Sequence, residues 1–212
     1  VTLTTPSTAG NAFGTVGITV KGADTSGSDH LTINIGSDTA TNTTAFNTDV
    51  ITANSIETLT LNVGDGAAHT VGGVTAGALG TLNITGGTAN TNFTLTGGTA
   101  VANINASAFK GDLVLTGVAA AGATATQYVE MGAGNDSFTF SLGTPGNGVA
   151  AANPINIVTG GAGADTFAFN VASNTFSTAG FIAGNVTSGS LFDRIVDLQL
   201  GGISTNASTG ND

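Results

Sequence analysis

The stretch TGGAGADTFAF at residues 159–169 joins a glycine-rich turn directly to a strand pattern. Glycine tolerates the positive φ angles that tight turns need. The alternation of Phe167 and Phe169 with small or polar residues predicts a half-buried strand. A second stretch, MGAGNDSFTF at residues 131–140, repeats the arrangement with Phe138 and Phe140. The repetition indicates one structural unit used twice, in which an aspartate ends a glycine turn and opens a strand.

Alternation of apolar residues with Thr, Asn or Ser recurs along the whole chain and predicts many short strands. Leu, Ile, Val and Phe are expected to face a core, and Thr and Asn to face outward, with glycine-rich punctuation between strands. No segment has a convincing helical period, because glycines and threonines weaken even the Ala-rich stretch 118–127. The predicted strands are VGITV (16–20), LTINIG (31–36), ETLTLNVG (57–64), TLNIT (81–85), FTLT (93–96), VANINA (101–106), DLVLTG (112–117), INIVTG (155–160) and DTFAFN (165–170).

The spacing of these strands predicts a repeat. Leu59, Leu82 and Ile104 open comparable strands that are 23 (82 − 59) and 22 (104 − 82) residues apart. An antiparallel sandwich and a parallel β-solenoid both fit many short strands with regular turns. Two-residue hairpin turns are scarce, with Asp65-Gly66 as the one clear case. We therefore favour an all-β fold, a right-handed parallel β-solenoid, over the sandwich.

The composition excludes several classes of function. Acidic residues outnumber basic ones 13 to 3, and the net charge of −10 argues against binding to nucleic acid or anionic membranes and favours cations as partners. Cysteine is absent, which removes thiol catalysis, disulfides and Cys-type zinc sites. No apolar run is long enough for a membrane helix, so we expect no membrane insertion.

No catalytic constellation is evident. His30 and His69 are the two histidines, and neither lies in an HExxH pattern. The sequence contains no GxSxG and no P-loop pattern. We therefore expect a protein that is not an enzyme.

The acidic glycine turns fit the nonapeptide pattern GGxGxDxUx of calcium-binding β-roll turns, in which U is a bulky apolar residue. Residues 160–167 match every fixed position, and residues 131–138 match all but the first glycine. Calcium takes six to eight oxygens at about 2.3–2.6 Å, which a glycine turn supplies as exposed carbonyls and the aspartate as a carboxylate. A plain glycine turn whose aspartate makes local hydrogen bonds is the competing interpretation. The predicted metal ligands are Gly132, Gly134, Asp136, Gly161, Gly163 and Asp165, with Asp29 in SGSDHLTI (26–33) as a weaker candidate.

One such turn supplies only part of a calcium shell, so a turn on the next coil must complete it. Regular coils of two nonapeptides repeat about every 18 residues, whereas Asp136 and Asp165 are 29 residues apart (165 − 136). The excess matches an extra loop, SLGTPGNGVAA (141–151). We expect the two turns to stack with this loop extruded.

These turns resemble those of RTX-type secreted proteins. The segment LFDRIVDLQLG (191–201) is similar to the D-x-I-x-D-F stretch that closes RTX β-rolls, with Asp193, Ile195 and Asp197 at the matching positions and Leu198 in place of Phe. The resemblance implies that Asp193 and Asp197 cap the last turns and help to bind calcium.

Other segments resemble a narrower group. SIETLTLNVGDG (55–66) and NINASAFKGDLVLTG (103–117) are similar to stretches in bacterial surface-layer proteins of the Caulobacter type and in large RTX adhesins. The resemblance implies a structural protein that is exported by a type I system and self-assembles into a cell-surface array with calcium. Residues 1–127 would be Thr/Asn/Gly-rich solenoid repeats, and residues 128–212 an RTX-like β-roll continuing the same rod. The alternative is a calcium-binding module of a secreted adhesin or enzyme whose active part lies outside this segment.

Overall fold

The structure, a computed structural model, describes residues 2–3, 16–18, 28–36, 45–64, 66–120, 126–140, 155–169 and 194–197. These residues form short strands and turns and include no helix. In particular, they include no helix long and apolar enough to cross a membrane.

The strands make three sheets, which we name A, B and C. Sheet A contains eight strands: β1 (Thr2–Leu3), β3 (His30–Ile35), β6 (Thr58–Val63), β9 (Thr81–Gly86), β12 (Asn103–Asn105), β15 (Thr126–Glu130), β17 (Ile155–Thr159) and β19 (Arg194–Ile195). Sheet B contains six: β4 (Asn47–Thr48), β7 (Ala68–Val71), β10 (Asn92–Leu95), β13 (Asp112–Leu115), β16 (Ser137–Phe140) and β18 (Thr166–Phe169). Sheet C contains five: β2 (Val16–Gly17), β5 (Ile51–Thr52), β8 (Val74–Thr75), β11 (Gly98–Val101) and β14 (Val118–Ala120).

The chain visits sheets A, B and C in that order and then begins the next coil, from β3 through β14. Each strand inside a sheet pairs in parallel with the strand one coil earlier and one coil later, as β6 does with β3 and β9. The result is a parallel β-solenoid of about four complete turns, continued by further strands of sheets A and B. The predicted solenoid is confirmed, and the antiparallel sandwich is excluded for the described residues. The right-handed sense of the coil stays a prediction, in line with the strong preference of parallel crossovers.

Period-two alternation places the core inside the coil. In β6, Leu59, Leu61 and Val63 are buried, while the intervening Thr and Asn side chains lie on the outer face. Leu59 is in register with Leu82, and Leu82 with Ile104, so the repeat of 23 and 22 residues read from the sequence is the true coil spacing. Burial of these stacked aliphatic columns provides the main driving force for folding.

Hydrogen bonds between outward side chains connect successive rungs of sheet A. The Asn62 amide donates to Asn34 Oδ1 at 3.1 Å, and the Thr85 hydroxyl donates to Asn62 Oδ1 at 3.1 Å. The Asn83 amide donates to Thr60 Oγ1 at 3.3 Å. Because these partners come from different coils, the ladder fixes the register without any charged group.

Within the Ala-rich stretch 118–127, residues 118–120 form β14 and residues 126–127 begin β15, so the described part of the stretch is strand. Sheet A passes without a break from β12 to β15 and β17, across the predicted boundary at residue 127. Asp65, part of the predicted hairpin turn, lies outside the described residues.

Candidate functional site

The two acidic glycine turns occupy the same corner of consecutive coils, where the chain leaves sheet A for sheet B. Residues 131–136 join β15 to β16, and residues 160–165 join β17 to β18. Ala133 and Ala162 form a parallel bridge, and Ser137 is in register with Thr166. The predicted stacking is therefore confirmed, although the loop at 141–151 lies outside the described residues.

Close backbone contact explains the glycines of the second turn. Gly161 and Gly163 adopt φ angles of 91° and 137°, which residues with a Cβ rarely adopt. A Cβ on Gly161 would collide with the Gly132 carbonyl oxygen, and one on Gly163 with that of Gly134. Since the Ala162 amide donates to the Gly132 carbonyl at 3.0 Å, the turns lie too close for larger residues at these positions.

Asp136 and Asp165 both reach back to the preceding coil. Asp136, only 1% exposed, accepts the Leu113 amide at Oδ1 (2.8 Å) and the amide of Gly132 in its own turn at Oδ2 (3.2 Å). Asp165 repeats the inter-coil bond by accepting the Asp136 amide at 3.0 Å. Each carboxylate thus joins its own turn to the coil before it.

Asp112 and Asn135 make the opposite connection, to the following coil. Asp112 Oδ1 accepts the Asn135 amide at 2.7 Å, and Asn135 Oδ1 accepts the Ala164 amide at 3.0 Å. Sequence reasoning did not assign either residue to the site. A sequence pattern could have found them. Each of the three turns has a glycine just before the position in question, in Gly111-Asp112, Gly134-Asn135 and Gly163-Ala164, and an alignment on these glycines places Asp112 and Asn135 at equivalent positions.

The electrostatic environment of Asp136 is unusual for an aspartate. Burial raises the pKa of its carboxyl from 3.8 to about 6, and the negative charges of Asp165 and Asp112 add to the rise. The amide hydrogen bonds from Leu113 and Gly132 act in the opposite direction, because they stabilise the ionised form. A nearby cation would stabilise the ionised carboxylate further.

Asp197 closes the stack of turns from a distant part of the sequence. Its two carboxylate oxygens accept the amides of Gly160 and Gly161, at 2.8 Å and 2.7 Å. Asp197 comes 37 and 36 residues after these glycines in the chain. The position follows from pairing of β19 with β17, which places Asp197 beside the start of the second acidic turn. Asp193, the other predicted cap residue, lies outside the described residues.

Asp29 lies at a different corner, where the chain enters sheet A. Its amide donates to Glu57 Oε2 at 2.7 Å, and its carbonyl accepts the amides of Glu57 and Thr58. The structure therefore does not bring Asp29 to the acidic turns. Its role as a metal ligand stays a prediction.

Side-chain ligands for a cation are few. Within the described ranges, no group of three or more His, Asp or Glu side chains could hold a metal ion. His69 is buried and its Nδ1 accepts the Phe46 amide at 3.0 Å, a contact inside the core. A cation at the stacked turns would have to combine a few carboxylate oxygens with carbonyls, a combination that suits calcium.

No protein-family model, no curated protein and no solved structure matches the chain. The functional interpretation depends on the solenoid and on the stacked turns.

Proposed function

We propose that the protein is a structural extracellular protein, a calcium-stabilised β-solenoid of a bacterial surface layer or a similar cell-surface array. The observation that carries the proposal is the stacking of the two acidic turns in register, across a spacing of 29 residues. Stacking places Asp136 and Asp165 in one column on consecutive coils.

The oxygen chemistry of this corner supports calcium as the cation. Calcium accepts six to eight oxygens in flexible geometry, including backbone carbonyls. Asp136, Asp165 and Asp112 would supply charge, and the carbonyls of the glycine turns would supply the remaining oxygens. Asp136 and Asp165 already accept amide hydrogen bonds, so calcium would strengthen a pre-formed junction between coils.

The charge balance gives the second line of support. The chain carries a net charge of −10, and a buried carboxylate is unfavourable unless it is paired. Calcium would lower the pKa of Asp136 and relieve the repulsion among the neighbouring aspartates. Extracellular calcium sites bind with dissociation constants of about 10⁻⁴ to 10⁻³ M, so the rod would be ordered outside the cell and looser inside it. A loose chain inside the cell is compatible with type I secretion.

The test is a calcium titration of the protein after treatment with EDTA, followed by circular dichroism and static light scattering. We expect calcium to increase the thermal stability of the β signal and to produce higher-mass assemblies. Order without assembly would favour the alternative, a calcium-binding module of a secreted adhesin or enzyme. A β signal, stability and mass that do not respond to calcium would exclude the calcium mechanism.

A pair of charge-matched variants localises the effect. Asp165→Asn removes a carboxylate from the stacked turns, whereas Asp49→Asn removes one from an exposed position at the edge of sheet B. We expect the calcium concentration at the midpoint to rise about tenfold for Asp165→Asn, a loss of about 1.4 kcal/mol, and to stay unchanged for Asp49→Asn. Equal midpoints would contradict the assignment of the site.

A further inference from the structure

The outer face of sheet A changes in character along the solenoid. One column of outward positions, aligned by register, runs through His30, Thr58, Thr81, Asn103, Tyr128 and Ile157, and the register continues it to Arg194. Tyr128 is 50% exposed, and no phenylalanine is exposed among the residues whose side-chain burial the structure describes. Asn103 precedes it and Ile157 follows it by one rung, at the usual strand spacing of about 4.8 Å.

The polar groups around Tyr128 are also free to bind a partner. In the earlier rungs, side chains such as Asn62 and Thr85 bond to one another. By contrast, the side chains of Asn103, Tyr128 and Glu130 form no hydrogen bond with another described residue. Glu130 lies two residues after Tyr128 on the same strand, and it is exposed on the same face. This end of the face thus presents an aromatic ring beside an amide and a carboxylate.

This combination matches the chemistry of a sugar. A sugar ring has an apolar face of C–H groups and a rim of hydroxyls, and tyrosine offers an apolar ring with a polar tip. Amide and carboxylate groups supply the donors and acceptors that hydroxyls require. Glu130 beside the ring and the net charge of −10 disfavour an anionic polymer, and the basic residue of this column, Arg194, stands two rungs beyond Tyr128.

We propose that Tyr128, Asn103 and Glu130 form a binding site for an uncharged hexose polysaccharide. The tyrosine ring stacks on one sugar ring, while Asn103 and Glu130 bind hydroxyl groups of that sugar or its neighbour. The proposal does not require calcium at the acidic turns, although Glu130 directly precedes the first of them.

A spectroscopic test is unusually direct because the chain contains a single tyrosine and no tryptophan. The protein, with calcium present, is titrated with maltohexaose, cellohexaose, mannohexaose and galactohexaose while tyrosine fluorescence is followed. We expect a saturable change with at least one of these, and binding about tenfold weaker or absent with hexagalacturonate as the charged control. No saturable response to any of the neutral oligosaccharides would overturn the proposal.

Calorimetry on variants separates this site from binding elsewhere. We expect Tyr128→Ala to weaken binding about tenfold or more, and Tyr128→Phe to keep it within about threefold, since the ring remains. Thr32→Ala, on the same face but remote, is the control and should bind like the parent protein. Equal weakening in Tyr128→Ala and Thr32→Ala would refute the site. If Tyr128→Ala instead changes the sedimentation of the free protein and leaves sugar binding intact, the patch is a self-association surface and the proposal is wrong.

Discussion

A single inward column of sheet B changes from apolar to acidic along the solenoid. The residues aligned in this column, from the first coil to the last, are Phe46, His69, Phe93, Leu113, Asp136 and Asp165. The early members fill the interior with rings and aliphatic carbon, and only His69 among them accepts a backbone amide, that of Phe46. The two later members, Asp136 and Asp165, are carboxylates that bind backbone amides of the neighbouring coil. One backbone repeat therefore supports two kinds of cohesion, which is mainly hydrophobic in the early coils, where Glu57 supplies one inter-coil carboxylate contact, and mainly electrostatic in the late ones.

The two regions should respond differently to solution conditions. Apolar burial and the neutral Asn/Thr ladder do not depend on ionisation in the physiological range. Carboxylates that are buried beside other carboxylates do depend on pH and on cations. We therefore expect the stability of the late coils to change more with pH and with calcium than that of the early coils.

The largest effect is expected from Phe93→Ala in the apolar part of the column. Phe93 is fully buried, and its ring lies 6.2 Å from that of Phe109. Loss of a buried phenylalanine ring typically costs about 3–5 kcal/mol through lost burial and the cavity that remains. Urea denaturation of the variant, beside the exposed-site variant Tyr128→Ala, measures the loss. A decrease in the free energy of unfolding below about 1 kcal/mol would mean that the early coils do not depend on this core.

In the acidic part, stability without calcium should fall as the pH rises through the range from about 4 to 6. The folded pKa of Asp136, about 6, lies above its unfolded value of 3.8, so the folded state binds more protons within that range. The difference of about 2 units corresponds to about 3 kcal/mol, which is present below pH 4 and lost above pH 6. Denaturation in EDTA at pH 4 and pH 7 measures this change in the free energy of unfolding.

The control for the pH effect is Asp136→Asn, which cannot ionise. We expect its stability to change less between pH 4 and pH 7 than that of the parent protein. Parallel pH curves for the two proteins would show that Asp136 is not the source of the dependence.

The sequence allowed the solenoid and the position of the acidic turns to be predicted, because both rest on local patterns. The alternation around Leu59, Leu82 and Ile104 gave the correct coil spacing. In sheet C, β2 lies within the predicted strand at 16–20, whereas β5, β8 and β14 escaped notice, since pairs such as Ile51–Thr52 are too short to show a period. β7 was missed as well, because its inward positions are His69 and Val71 and a histidine interrupts the apolar alternation.

The connections between turns could not be deduced from the pattern alone. Asp136 was recognised as part of a turn, but its bond to the Leu113 amide depends on the register of two coils. Asp112 and Asn135 carry the same kind of bond in the opposite direction, and neither occupies a fixed position of the nonapeptide pattern. Register is a property of the assembled coils, so only the structure shows which amides these side chains reach.

Asp197→Ala, at the end of the acidic stack, is expected to reduce the protection of nearby backbone amides against hydrogen exchange. Removal of the carboxylate leaves the amides of Gly160 and Gly161 without their acceptors, at a cost of about 1–3 kcal/mol. Because Asp197 is partly exposed and water can replace it in part, the lower end of that range is expected. Hydrogen exchange should speed up at these two amides and remain unchanged at Leu61 in the early coils. Uniform acceleration across both regions would indicate a global effect instead of a local cap.

The smallest effect is expected from Asn62→Ala, which removes the centre of the neutral ladder. Asn62 bonds to Asn34 and to Thr85, and such bonds contribute about 0.5–1.5 kcal/mol each when buried, less when water can compete. We therefore expect a loss of about 1 kcal/mol in urea denaturation. Asn103→Ala is the matched control, since its side chain lies on the same face outside the ladder. The loss for Asn62→Ala should be the same at pH 4 and pH 7 and with or without calcium, because no charged group takes part. A loss that varies with pH or calcium would show that the early and late coils are coupled, and that the division between hydrophobic and electrostatic cohesion does not hold.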